Sequence, residues 1–285
     1  MEYRKKILFR FWNLIVFFIS VIFFPIGCKK EISAPAPSVS TSIVNTVPED
    51  TTFNFSCKDS TLPFVVIELF TSQDCAACPY SEADLSRLIA KEKPSGRNLI
   101  YIAEHVTYWD YLGWKDVYGM TKFNSRQTSS YNNALGNCMY TPQTIINGIF
   151  SSSNYKTVSE KINYYLGIGS TASAGITLKL NSPAAADTLK IAYKVAGTIK
   201  GKKLILAIVE NGCSNSIRGG ENSGRNLHED AVARLFESYT ISSQRQGIIQ
   251  IIPPANIDRS QASVVAFIQD PHTMKILGAT KGFTL

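Results

Sequence analysis

The sequence predicts an α/β domain followed by an all-β, sandwich-like domain. Two observations carry this. Between residues 63 and 170, short apolar β-branched runs alternate with helical patterns, as in an α/β unit built on a central sheet. After Gly167 the hydrophobic period shifts towards two, as in antiparallel strands with one wet face. The boundary falls near residue 170, giving units 63–170 and 171–285.

The chain has 285 residues, 45% of them hydrophobic and 18% charged. That is enough for a real core without disulfides and excludes wholesale disorder.

The N-terminus comes first. Arg4, Lys5, Lys6 and Arg10 stand against Glu2, and residues 11–27 are almost wholly apolar. A positive start before a short apolar run reads as an export signal. The run ends in Pro25-Ile26-Gly27-Cys28. A small residue before cysteine at that place resembles a bacterial lipobox, although Pro25 stands where Leu is usual. On that reading 1–27 is a signal peptide and Cys28 is the lipidated first residue. The alternative is an uncleaved membrane anchor; both put the rest of the chain outside the cytoplasm. Residues 1–27 hold four basic residues and one acidic, so removing them lowers the net charge from +7 to +4. No basic run interleaved with aromatics follows, so nucleic acid is not an expected partner. Residues 28–62, rich in Ser, Thr and Pro, read as a tether. Within them, Lys29-Lys30-Glu31 resembles the charged export tags of some surface lipoproteins.

Phe64 to Phe70 is an apolar run suited to a buried parallel strand. Thr71 to Pro79 contains Cys75-Ala76-Ala77-Cys78. A helix follows, with Leu85, Leu88 and Ile89 on one face, ended by Pro94-Ser95-Gly96. Leu99–Ala103 is a second strand, 117–134 holds a helix, and Thr144–Phe150 is a strand with a turn at Asn147-Gly148. A further helix covers 156–166. Strands follow around 176–180, 189–195, 204–209, 248–252 and 264–268. Residues 228–237 are ambiguous, since Val232, Leu235 and Phe236 fit a helix.

The chemistry sits at Cys75 and Cys78. Two intervening residues let both thiols close a disulfide at the first turn of a helix. The unpaired N–H groups and positive dipole end there favour a thiolate. Cys75 is the outer thiol and the nucleophile; Cys78 is the resolving thiol. Pro79 suits an early helical position that needs no amide donor. Zinc sites also use CxxC, but they normally need a second ligand pair, and no matching CxxC or HxxxH exists. No metal and no cofactor is expected.

The segment Phe70-Thr71-Ser72-Gln73-Asp74-Cys75-Ala76-Ala77-Cys78-Pro79 resembles thioredoxin-like proteins, and more closely an exported bacterial thioredoxin-like family classed as a domain of unknown function. Glu104–Asp116, Tyr140–Gln143 and Gly220–Leu227 add to the likeness, which runs from about residue 63 to the C-terminus. Asp74 departs from the usual Gly, Tyr80 from Pro and Thr107 from Asp. The resemblance implies a thioredoxin-like domain over 63–170 followed by the β-rich domain. It implies that Pro142 is a cis-proline facing the cysteines, with the Thr141 backbone open to pair with a peptide. It places Glu68 as a buried acid behind Cys78, a proton acceptor in exchange; the other reading is a strand-end carboxylate.

Other residues carry two readings each. Tyr108, Trp109, Tyr111 and Trp114 are either a substrate platform or interface packing. His105 is a structural histidine, or joins the thiols in a copper site. Arg126 is a substrate clamp or a solvated helix charge, and Glu221–Arg225 is a structural loop. Three cysteines remain unassigned: Cys57 and Cys213 as a candidate bridge, and Cys138 as a buried or auxiliary thiol. The function expected is a thiol-disulfide oxidoreductase of the cell envelope, acting on cysteine-containing proteins or peptides and tied to a membrane through Cys28. The alternatives are a non-catalytic binding or assembly module, and a copper-handling protein.

Overall fold

Phe64–Thr71 (β1) is buried at every position, as its β-branched and aromatic sequence requires of a strand covered on both faces. The computed structural model describes residues 64–92, 98–168, 172–241 and 245–285. The readings of the signal peptide, Cys28, the tether and Cys57 lie outside them. Cys78–Glu92 (α1) leads from β1 to Asn98–His105 (β2). The two strands pair in parallel from Phe64 opposite Asn98 to Thr71 opposite His105.

The helical stretch expected at 117–134 is Thr121–Ser125 (α2), a π-helical segment Arg126–Asn132, and Asn133–Leu135 (α3). Gln143–Ile146 (β3) then pairs antiparallel with the other edge of β1, and Phe150–Ser152 (β4) with β3. The intervening turn has positive φ at Asn147 and Gly148. A Cβ on Gly148 would lie 1.8 Å from the Met274 carbonyl oxygen, so only glycine fits. Tyr155–Ile168 (α4) completes this half. Among the described residues, no helix is long and apolar enough to cross a membrane.

The second half supplies Ala174–Leu180 (β5), Leu189–Gly197 (β6), Lys203–Glu210 (β7), Cys213–Ser216 (β8), Asn226–Glu229 (β9), Val232–Thr240 (β10), Gln246–Ile251 (β11), Ala262–Gln269 (β12) and Ile276–Thr284 (β13). Four of these extend the first sheet, in the order β13-β12-β7-β10-β2-β1-β3-β4. The boundary expected near residue 170 is therefore crossed by a continuous sheet. The junction is narrow: Val232 opposes Ala103 in parallel, and the Ala103 N–H donates to the Ala231 carbonyl at 2.8 Å.

The strands β11-β6-β5 form a second sheet. Alternation along β7 serves both cores. Leu204, Leu206 and Ile208 share one apolar cluster with β5, β6 and β11. Ile205, Ala207 and Val209 share the other with β1 and β2. The helix-like spacing at 228–237 belongs to the end of β9 and the start of β10 instead. A register shift between Ala233 and Leu235 in β10 breaks the period of two, as a β-bulge does.

Candidate functional site

Cys75 and Cys78 are joined in a disulfide, with Cα atoms 5.4 Å apart. β1 ends at Thr71 and α1 begins at Cys78, so the pair occupies the strand-to-helix junction. The Cys78 N–H donates to the Cys75 carbonyl at 3.1 Å, and the Cys75 N–H to the Ser72 carbonyl at 3.2 Å. Ala76 and Ala77 are exposed, but Cys75 is only 4% exposed and Cys78 is fully buried.

A distant turn clamps this loop. Asn222 donates its side-chain amide to the Gln73 carbonyl at 2.8 Å and to the Cys75 carbonyl at 3.0 Å. Glu221 accepts the Ala76 N–H at 2.9 Å. Asp74 explains itself here: its carboxylate accepts the N–H groups of Glu221 at 2.7 Å and Trp114 at 3.1 Å. At Gly220, φ is +66° and a Cβ would collide with the Asp74 carboxylate. The Glu221–Arg225 segment is thus the strap across the cysteine loop, a role no local pattern announced.

The Thr141–Pro142 peptide is cis. Gln143, which follows it, opposes Phe70 on β1. The Trp109 indole donates to the Thr141 hydroxyl at 2.7 Å, and the Tyr108 hydroxyl donates to Gln127 at 3.0 Å. Trp109 stacks on Tyr111 at a centroid distance of 6.4 Å, and Tyr111 is 76% exposed. Trp114 instead donates to the Gln73 side chain at 3.0 Å. Tyr108, Trp109 and Tyr111 form one aromatic group that reaches Thr141 through Trp109, while Trp114 belongs with the cysteine loop.

Glu68 is not behind Cys78. Its register opposite Ile102, two residues before Phe70 on the same face, puts it on the opposite face of β1 from Thr71. There Arg126 donates to it from Nε at 2.9 Å, and the Tyr131 hydroxyl donates to it as well. Arg126 is not a solvated charge, being 11% exposed. It also lies 3.4 Å from Glu104. Burial opposes the Arg126 cation, yet Glu68, Tyr131 and Glu104 together outweigh it and hold the guanidinium charged. Burial pushes the Glu104 carboxyl well up, against the pull of Arg126.

The acid on the cysteine side is Glu82. It lies one helical turn beyond Cys78 on the same buried face of α1, and accepts the Thr71 hydroxyl proton. His105 lies beside Thr71 in the register, and its Nδ1 meets the Asp116 carboxylate at 2.8 Å. Glu229 reaches in from the end of β9 and accepts from the Gln73 amide at 2.8 Å. One ligand-type atom from each of Glu82, His105 and Glu229 lies within 4.8 Å of the others. Burial disfavours the His105 cation, but Asp116, Glu229 and Glu82 outweigh it and raise its pKa to about 10. Burial raises the carboxyl of Glu229 to about 8 and that of Glu82 upward, each opposed by His105.

The remaining cysteines sort differently from expectation. Cys213 is a free, buried thiol, so the Cys57–Cys213 bridge is not formed. Burial, then Glu210, pushes this thiol up to about 11. Cys138 is disulfide-bonded, not a free auxiliary thiol.

With this geometry in place, comparison with known proteins is informative. Residues 66–269 match the model of a family described as protein of unknown function DUF1223. The chain belongs to this family. The DUF1223 match covers both halves of the large sheet, cysteine loop and Glu221–Arg225 strap included. A crystal structure of an Agrobacterium tumefaciens protein is similar at 23% identity, covering 77% of this chain and 93% of that one with a TM-score of 0.56. HBP35 of Porphyromonas gingivalis is similar at 18% identity, covering 78% and 76% with a TM-score of 0.58. At these identities the likeness speaks to fold alone. No curated protein matches the chain.

Proposed function

We propose that this DUF1223 protein is a thiol-disulfide oxidoreductase of the bacterial cell envelope, with a thioredoxin-like first half. The observation that carries the reading is the Cys75–Cys78 disulfide at the start of α1. The strand order β4-β3-β1-β2 and the cis bond before Pro142 support the thioredoxin-like likeness. The envelope location is argued from the signal-like residues 1–27 and the lipobox-like sequence ending at Cys28.

In the reduced protein, the Cys75 thiolate attacks a substrate disulfide. A mixed disulfide forms and one substrate thiolate leaves. The Cys78 thiolate then attacks Cys75 sulfur, closing Cys75–Cys78 and releasing the second substrate thiolate. Two electrons pass to the substrate; the reverse sequence oxidises a substrate dithiol. Pro142 and Thr141 border the bound peptide, with Tyr108 and Trp109 beside them.

A second reading has one observation in its favour. Cys75 is 4% exposed and its carbonyl is held by Asn222, as suits a structural disulfide in a binding or assembly module. The copper alternative gains nothing from the geometry, because the ligand-type atoms gathered at His105 are carboxylates of Glu82 and Glu229, not thiols.

Trapping separates the first two. A Cys78→Ser protein should accumulate mixed disulfides through Cys75, and the native protein should reduce insulin in the presence of dithiothreitol. If neither adducts nor insulin reduction are detected, the disulfide is structural.

A further inference from the structure

Three buried side chains meet one turn beneath the cysteine pair, and none of the exchange steps uses them as a set. They are Glu82 on α1, His105 at the end of β2 and Glu229 at the end of β9. Their exposures are 4%, 1% and 2%. Two of their atoms, His105 Nε2 and Glu229 Oε1, are buried with no hydrogen-bond partner among the described residues. Such atoms are costly unless something satisfies them.

Each side chain is oriented by a neighbour on its other atom. His105 Nδ1 meets Asp116 at 2.8 Å, Glu229 Oε2 accepts from Gln73 at 2.8 Å, and Glu82 Oε1 accepts from Thr71. A ligating imidazole is typically held by a carboxylate at its second nitrogen, which fixes tautomer and ring direction. Asp116 is fixed in turn by the N–H groups of Gln73 and Tyr118, at 2.8 and 2.9 Å. One ligand-type atom from each side chain lies within 4.8 Å of the other two, a span that a central cation can draw in.

We propose that Glu82, His105 and Glu229 form a binding site for one divalent first-row transition ion. Two carboxylates and one imidazole suit Zn2+ or Mn2+ and not a soft Cu(I) centre. A dication neutralises the two glutamates and displaces the His105 Nε2 proton to solvent, while Nδ1–H stays on Asp116. No thiol belongs to the ligand set, so the site is independent of the redox reading.

The test uses the purified protein after dialysis against EDTA, with Zn2+ and Mn2+ added separately and followed by calorimetry and elemental analysis. One equivalent of either ion should bind. His105→Asn and Glu229→Gln should each lower the affinity at least 100-fold, and Asp116→Asn by roughly 10–100-fold as an orienting residue. The Cys75→Ser/Cys78→Ser double variant should bind as the native protein does. Circular dichroism confirms that each variant is folded; Glu82→Gln, an isosteric change, stands in for any that is not. Failure of the folded native protein to take up either ion overturns the site. Unchanged binding in the folded ligand variants, or binding lost in the cysteine variant, overturns it equally.

Discussion

The two faces of β1 each bury a charged cluster, and they are balanced differently. On the Glu68 face, Arg126 supplies a permanent cation inside the cluster, with Glu68 and Glu104 around it. The rings of Tyr131 and Phe236 lie 5.0 and 4.8 Å from the guanidinium carbon, which adds cation–π attraction. On the Thr71 face, two glutamates and a histidine meet, and no Lys or Arg pairs with them among the described ion pairs. A buried carboxylate needs a partner. The first cluster finds a permanent cation within the chain, while the second has only the titratable His105, shared with Asp116, and the neutral donors Thr71 and Gln73. A strand carrying a glutamate thus says little about chemistry until the face and the countercharge are known.

The sharpest way to break this contrast is to remove the cation. Arg126→Met leaves Glu68 buried without its partner, and breaking a buried pair costs about 3–5 kcal/mol. Urea unfolding should show that loss. Adding Glu68→Gln should recover a good part of it, because the orphaned charge goes too. A single variant as stable as the native protein would mean that the Glu68 face is not closed by Arg126.

A second contrast compares the two faces directly, in EDTA. Glu68→Gln should destabilise by about 1–3 kcal/mol, since it strips charge from a satisfied pair. Glu229→Gln should be neutral or stabilising by about 1 kcal/mol, because burial already disfavours the charged carboxylate and the amide oxygen keeps an acceptor for Gln73. The same sign for both changes would erase the distinction.

The strand and helix patterns around the cysteines were legible because they are local. β1, the CxxC, α1 and β2 follow from short-range periodicity and turn chemistry. Glu68 was misplaced because a one-residue change in loop register turns a side chain to the opposite face. Glu229 lies far from Glu82 and His105 in the chain, and only the entry of β10 beside β2 brings it in. Its neighbouring strand looked helical, since the bulge at Ala233/Leu235 mimics helical spacing. Asn222 gave no signal beyond a family-like turn, because its partners are the backbone carbonyls of Gln73 and Cys75.

That turn provides a smaller test on the open face. Asn222→Ala removes two donors to the cysteine loop and frees the partner of Arg225. A cost of about 1–2 kcal/mol is expected, with several-fold faster reduction of Cys75–Cys78 by dithiothreitol. Unchanged reduction kinetics would show that the strap does not govern access to the sulfurs.

The smallest effect is expected near the closed face, where charge is not buried. Lys122, four residues before Arg126, pairs with Glu237 at 3.1 Å, with side-chain exposures of 45% and 33%. Both this pair and the Arg126 pair link the α2 region to the sheet. They differ in solvent: water screens one and is excluded from the other. Exposed pairs contribute about 0–1 kcal/mol, and Lys122 keeps its bond to the Phe236 carbonyl at 2.8 Å when the acid is neutralised. Glu237→Gln should therefore lower the unfolding free energy from urea titration by about 0.5 kcal/mol or less. A loss approaching that of Arg126→Met would mean that long-range charge balance, not burial, sets the cost on this side of the sheet.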